Sequence, residues 1–156
     1  MRSRGQSLLY AVLLMPTLIL VFALAVDMAS LQMQKLRLRY AVDLATVTAA
    51  TAVDGRYYSQ TGRLRLDPVL ATSTTRDYLR RNLSGMPGVA APAQIAAAAD
   101  ITIINQIPAA DPYTHARLDR PAVCARIRVP YRFFLLGWIG LHVIDMTVAA
   151  NAEIRT

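Results

Sequence analysis

From Leu8 to Val26 the chain reads LLYAVLLMPTLILVFALAV, nineteen residues without a formal charge. As an α-helix rising about 1.5 Å per residue, this run spans about 28 Å, close to the roughly 30 Å hydrocarbon core of a bilayer. The run is therefore expected to cross a membrane. Pro16 removes one backbone donor inside it, which membrane helices tolerate with a kink at most. A cleaved secretory signal has a shorter apolar core, about 7 to 15 residues, and ends at a small-residue site. Here the helical pattern continues past the run without a turn, so a retained anchor is expected.

Cations flank the span unevenly. Arg2, Arg4 and the terminal amine precede it, Asp27 comes immediately after it, and Lys35, Arg37 and Arg39 come two to three turns later. The near flank places the N-terminus (residues 1–7) in the cytoplasm and the chain beyond the span on the far side. Residues 27–54 contain no Gly or Pro before Gly55 and are rich in helix formers, so the anchor helix should continue outward. Met28, Leu31, Leu38, Val42, Ala45, Ala49 and Ala52 recur at helical spacing and form one stripe that turns small after Val42. Small side chains let another backbone approach, which makes Val42, Ala45, Ala49 and Ala52 candidates for a helix-packing interface.

Residues 55–156 have the pattern of a small α+β head. Asp54-Gly55 is a turn signal. The run from Arg56 to Pro68 reads as a small hairpin or ordered loop around Gln60, Thr61 and Gly62. Asp67-Pro68 starts a second helix over about 68–83, with Asp67 as N-cap and with Leu70, Tyr78, Leu79 and Leu83 facing a core. Alternating apolar residues predict strands near 100–107, 122–131 and 143–155, hence a three- to four-stranded antiparallel sheet packed on a helix. Residues 133–144, FFLLGWIGLHVI, are apolar but too short to cross a membrane as a helix. They suit either burial in the protein or an interfacial loop, with Arg2, Arg4, Phe133, Phe134 and Trp138 as membrane-interface candidates. Burial is the commoner use of such a run.

Little in the chain is suited to catalysis. Cys124 is the sole cysteine, which excludes an intrachain disulfide and a cysteine cluster. His115 and His142 lack metal-ligand spacing to a partner. Asp27, Asp43 and Asp54 are too far apart along one helix to act as a carboxylate pair, and Gly137 and Gly140 belong to no phosphate-binding fingerprint. The expectation is a non-enzyme without cofactor or metal. The net charge of +7 is dispersed, which suits a solvated surface or acidic lipid headgroups better than nucleic acid. Hydrophobic residues make up 54% of the chain, and most of the excess is accounted for by the anchor and by residues 133–144.

The first fifty residues resemble the TadE/TadG-like proteins of tight-adherence (Flp) pilus assembly. The resemblance is carried by Arg4-Gly5-Gln6, Met15-Pro16, Val26-Asp27 and the run AVDLATVTAA from Ala41 to Ala50, in that order. It implies a pilus minor subunit or assembly factor, pseudopilin-like, anchored in the bacterial cytoplasmic membrane with an exported α+β head. Its partners would be pilus subunits and the lipid bilayer. Pseudopilin-type members are processed after a Gly, here Gly5, and carry Glu at the fifth mature position; that position here is Tyr10, so an uncleaved chain is expected. The rival reading is an accessory subunit that stabilises a larger respiratory or photosynthetic membrane complex.

Overall fold

The longest element, α1, runs over Ser3–Ala49 and passes through Pro16 without ending. The computed structural model describes residues 3–140 and 142–154, and side chains except at 3–9, 11, 138 and 139. The chain divides into two compact units. One comprises Met1–Gln34 and Tyr131–Ile144, the other Lys35–Pro130 and Asp145–Thr156. The architecture is α+β: the long apolar helix, further helices, a three-stranded antiparallel sheet and a small two-stranded one.

In the larger unit, Leu38, Ala41, Val42, Ala45, Thr46 and Ala49 of α1 are buried. The helix ends earlier than Asp54, and the residues after it form an isolated bridge, Val53 to Leu66, closed by Asp54 N–H to the Arg65 carbonyl and Asp67 N–H to the Ala52 carbonyl. Between the two sides of the bridge, where the sequence reads as a small hairpin or an ordered loop, the chain forms a short helix, α2 (Gly55–Thr61). Asp54 decides this by accepting the Tyr57 N–H at 2.9 Å as an N-cap, and Gly62, at φ 67, closes the other end in the left-handed conformation.

The Asp67-Pro68 signal produces α3 (Pro68–Ser84), in which the Asp67 carboxylate accepts the Val69 and Leu70 N–H groups at 2.9 and 3.0 Å. Its buried face is Ala71, Thr75, Leu79 and Leu83. Leu70, expected in the core, is exposed, because a strict four-residue step from Leu83 reaches Ala71 rather than its neighbour. A further short helix, α4 (Pro92–Ala97), packs on α3.

The strands are β1 (Asp100–Ile104), β2 (Ala109–Ala110), β3 (Arg117–Leu118), β4 (Ala122–Arg132) and β5 (Val143–Glu153), with sheet order β1-β4-β5 and β2 paired to β3. Asp100 pairs with Arg126 and Ile104 with Ala122 in the antiparallel β1–β4 ladder. Strand β1 stops short of the expected Ile107, which is exposed. Its successor, Asn105, leaves the ladder: its amide donates to the Leu66 carbonyl at 3.0 Å and its Oδ1 accepts the Leu66 N–H at 2.8 Å. A side chain here does the pairing of a strand residue.

One face of the sheet forms the main core, where Val123 and Ile154, with the partly buried Ile101, Ile103 and Ala152, meet Ala49, Ala50, Ala52, Leu66 and Ala71. The other face at the start of β4 is covered too, by Leu118 and Tyr113 over Ala122 and Cys124. The first residues of β4, Cys124 included, are consequently buried on both faces.

Ala49 is fully buried in this core and Tyr40 is 74% exposed. Ala49→Leu should therefore overpack the head and destabilise it by about 1–3 kcal/mol, lowering its melting temperature, while Tyr40→Ala leaves it within about 0.5 kcal/mol. Equal melting of the two variants in detergent would contradict this core assignment.

Candidate functional site: an anchor helix holding a hairpin tip

In the smaller unit, Tyr10, Val12 to Met15, Leu18 to Phe22 and Leu24 are all exposed, so most of the described side chains of the apolar run are bare. Among the described residues, α1 is the one helix long and apolar enough to cross a membrane. Exposing a continuous apolar cylinder to water opposes the hydrophobic effect, whereas a bilayer removes the penalty. The N-terminal helix is thus suited to membrane anchoring.

The first charge after this run, Asp27, is fully buried. It is covered by the connection between β4 and β5. Its carboxylate accepts the backbone N–H groups of three consecutive residues: Phe134 at 3.2 Å, Leu135 at 3.0 Å and Leu136 at 2.6 Å. Leu136 begins a single 3-10 turn, Leu136–Ile139, which has no side-chain cap of its own. Asp27 supplies that cap from more than a hundred residues away, satisfying donors that a helix N-terminus otherwise leaves orphaned. One turn further along α1, the Ser30 side chain hydrogen-bonds the Tyr131 hydroxyl. Tyr131 in turn meets Phe133 edge to face, with ring centroids 5.4 Å apart. Phe133 N–H to the His142 carbonyl closes the loop at 3.2 Å, and Gly140, at φ 94, ends the 3-10 turn.

The apolar run of residues 133–144 is therefore divided. Leu136 is buried and Phe133 and Leu135 are half-buried, while Phe134, Val143 and Ile144 are exposed. Of the membrane-interface candidates, Phe133 and Phe134 belong to this tip. Arg2 lies outside the described residues, as do the side chains of Arg4 and Trp138. Gly5 lies within α1. The four packing candidates Val42, Ala45, Ala49 and Ala52 are buried by the chain itself, with Ala49 and Ala52 in the main core. Met28, placed on the same stripe by spacing, is exposed. The role of Asp27 as a cap was not visible in the sequence, although its place as the first charge after the apolar run was the available signal.

The head contains a second polar cluster. Asp111 is buried, and its carboxylate accepts the Tyr113 N–H at 2.8 Å together with the Thr114 hydroxyl and the Asn151 amide. Burial pushes the Asp111 pKa up, but hydrogen bonds from Thr114, Asn151 and the Tyr113 and Thr114 backbone outweigh it and hold the carboxyl below its ordinary range. Neighbouring Cys124 is pushed up to about 12 by burial and then by the Asp111 charge, so it is a protonated core thiol at neutral pH rather than a nucleophile. Arg126 bridges Asp100 at 2.7 Å and lies 4.8 Å over the Tyr113 ring, whose hydroxyl meets Thr102. This cluster joins the β2–β3 loop to β1, β4 and β5 and has the character of a structural staple. Among the described residues no group of His, Cys, Asp or Glu is placed to hold a metal ion.

A long apolar helix whose described side chains are mostly exposed, together with an α+β head, is consistent with a membrane-anchored class of protein. Residues 5–52, about a third of the chain, match the family model of Flp pilus-assembly TadE/G-like proteins. No curated protein and no solved structure matches the chain.

Two outcomes test the geometry. Asp27→Ala should free the tip, so that protease cleavage within residues 133–144 of the detergent-solubilised chain accelerates roughly tenfold or more, with Asp27→Asn intermediate because it keeps an acceptor oxygen. Unchanged cleavage would show that the cap does not hold the tip. Asp111 contributes stability that is fully present above the unfolded carboxyl pKa of about 3.9 and is lost as pH falls through its lower folded value. Melting curves from neutral pH into this acid window should fall more steeply for the wild type than for Asp111→Asn, whose amide does not titrate.

Proposed function

We propose that the chain is a non-enzymatic, single-pass component of Flp pilus assembly, acting as a minor subunit or assembly factor with its N-terminus in the cytoplasm and its head on the outer side of the cytoplasmic membrane. The observation that carries this reading is the family match over residues 5–52, which takes in the bare apolar helix, Asp27 and the start of the core. The Arg-rich N-terminal flank supports the orientation. The commitment of the head's reactive side chains to its own core supports a structural role: Cys124 is held protonated and buried, and Asp111 is engaged in hydrogen bonds within the head. Tyr10 stands where a processed pseudopilin has Glu, which supports a chain that keeps its first residues.

On this reading the partners are other proteins of the pilus machinery, and the surface for them is not the small-residue stripe, which the head already covers. The opposite side of α1 carries Leu36, Tyr40, Leu44 and Val47, exposed at steps of four, four and three. A helix leaving a membrane with such a stripe is oriented to meet helices anchored in the same bilayer.

Purification through a C-terminal tag from gently solubilised membranes should bring down pilus-assembly proteins. Redox subunits in their place would overturn the assignment in favour of a larger membrane enzyme complex. Protease added to sealed spheroplasts should remove the head, and its full protection would reverse the orientation. Intact mass should include residues 1–5.

A further inference from the structure

We infer that the β4–β5 tip, residues 133–144, is a second contact with the membrane, seated among the phospholipid headgroups of the leaflet that faces the head. The inference rests on the anchor reading and adds to it a second, separate point of attachment.

Depth is the first argument. Nineteen uncharged residues roughly fill the hydrocarbon core, so Asp27, directly after Val26, falls at the headgroup level. The backbone N–H groups of Phe134, Leu135 and Leu136 lie 2.6 to 3.2 Å from its carboxylate. The tip therefore shares the depth of Asp27.

The second argument concerns the backbone. A loop in water needs no carboxylate for its N–H groups, because solvent satisfies them. Near hydrocarbon, each unsatisfied group is costly and must find a partner within the protein. Three consecutive N–H groups converging on one buried carboxylate, with Phe133 N–H bonded to the His142 carbonyl and Gly140 N–H to the Gly137 carbonyl, give an irregular segment the internal pairing that such a place demands.

Side chains supply the third argument. Phe134 is 77% exposed and Val143 and Ile144 are exposed beside it, so the tip presents apolar groups that its own unit does not cover. Arg132, at the end of β4, is exposed next to them and can reach lipid phosphate while its stem lies along apolar surface. Apolar groups at the level of an emerging span, with a cation alongside, match the chemistry of a phospholipid interface.

The test uses the full chain in vesicles of equal parts phosphatidylcholine and phosphatidylglycerol, with an environment-sensitive fluorophore on single introduced cysteines. Native Cys124 is buried with its thiol pushed up to about 12, so it does not compete for label. Positions are Phe134→Cys and Ile144→Cys on the tip, Val69→Cys on the head and Phe22→Cys within the span. Lipid nitroxides near the top of the acyl chain should quench most of the Phe134 and Ile144 signal and leave Val69 bright. Nitroxides near the chain end should quench Phe22. If Phe22 is quenched and the tip labels are not, whether because iodide reaches them from water or because protein shields them, the inference is overturned and the anchor stands. If Phe22 is not quenched either, the anchor reading fails and takes the inference with it. Adding Asp27→Ala should abolish tip quenching while Phe22 stays quenched; tip quenching that persists would overturn the role of the Asp27 contact in seating the tip.

Discussion

The interaction on which the smaller unit depends is a single carboxylate accepting three backbone N–H groups. Asp27 sits at the point where the chain can first carry a charge, and it is buried there. A buried carboxylate is costly without donors, and a helical turn beginning beside apolar surface is costly without acceptors. Each cost is met by the other, so neither the burial of Asp27 nor the conformation of Phe134 to Leu136 is understandable alone. The Tyr131–Ser30 hydrogen bond and the Tyr131–Phe133 ring contact add direction to a contact that hydrogen bonds to backbone would otherwise leave indifferent to sequence.

The larger unit uses the same device repeatedly, with side chains taking the part that secondary structure usually takes. Asn105 pairs both ways with the backbone of Leu66, Asp111 gathers the β2–β3 loop onto Asn151, and the Glu153 carboxylate accepts the Asp119 N–H at 3.0 Å. A head of about 100 residues buries limited apolar area, and its core includes many alanines, which contribute little area each. Alanines on α1 allow close approach, and polar staples fix the loops that such a small core cannot hold by packing alone.

What could be read from sequence was what periodicity and local chemistry control. The α+β class, the uncharged run and the Asp67-Pro68 start of α3 all arise from patterns within a few residues, and each is present in the structure. The misread segments have causes that pattern matching does not reach. Around Gln60 the β-capable residues lost to the cap from Asp54 and the turn at Gly62. Ile107 left its strand because Asn105 turns to Leu66, which is 39 residues away in sequence. Cys124 shares its strand face with Arg126, and its burial follows from Leu118 and Tyr113 packing over it, which no local pattern shows. Asp27 looked like the end marker of an apolar run because nothing local says that residues more than a hundred positions later will bind it.

The family match ends three residues beyond the end of α1 at Ala49, inside the larger of the two compact units. Residues 5–52 contain the apolar run, Asp27 and the α1 stripe down to Ala49 and Ala52 in the core. This stretch holds the anchor and one partner of each major contact, while the other partners, the 133–144 tip and the sheet, lie beyond the match. Asp27, directly after the apolar run, is an acceptor whose described donors come from the β4–β5 tip. The matched third is therefore structurally incomplete by itself: it carries a buried charge and a stripe of small side chains that need the rest of the chain to cover them. The remaining two thirds supply that cover.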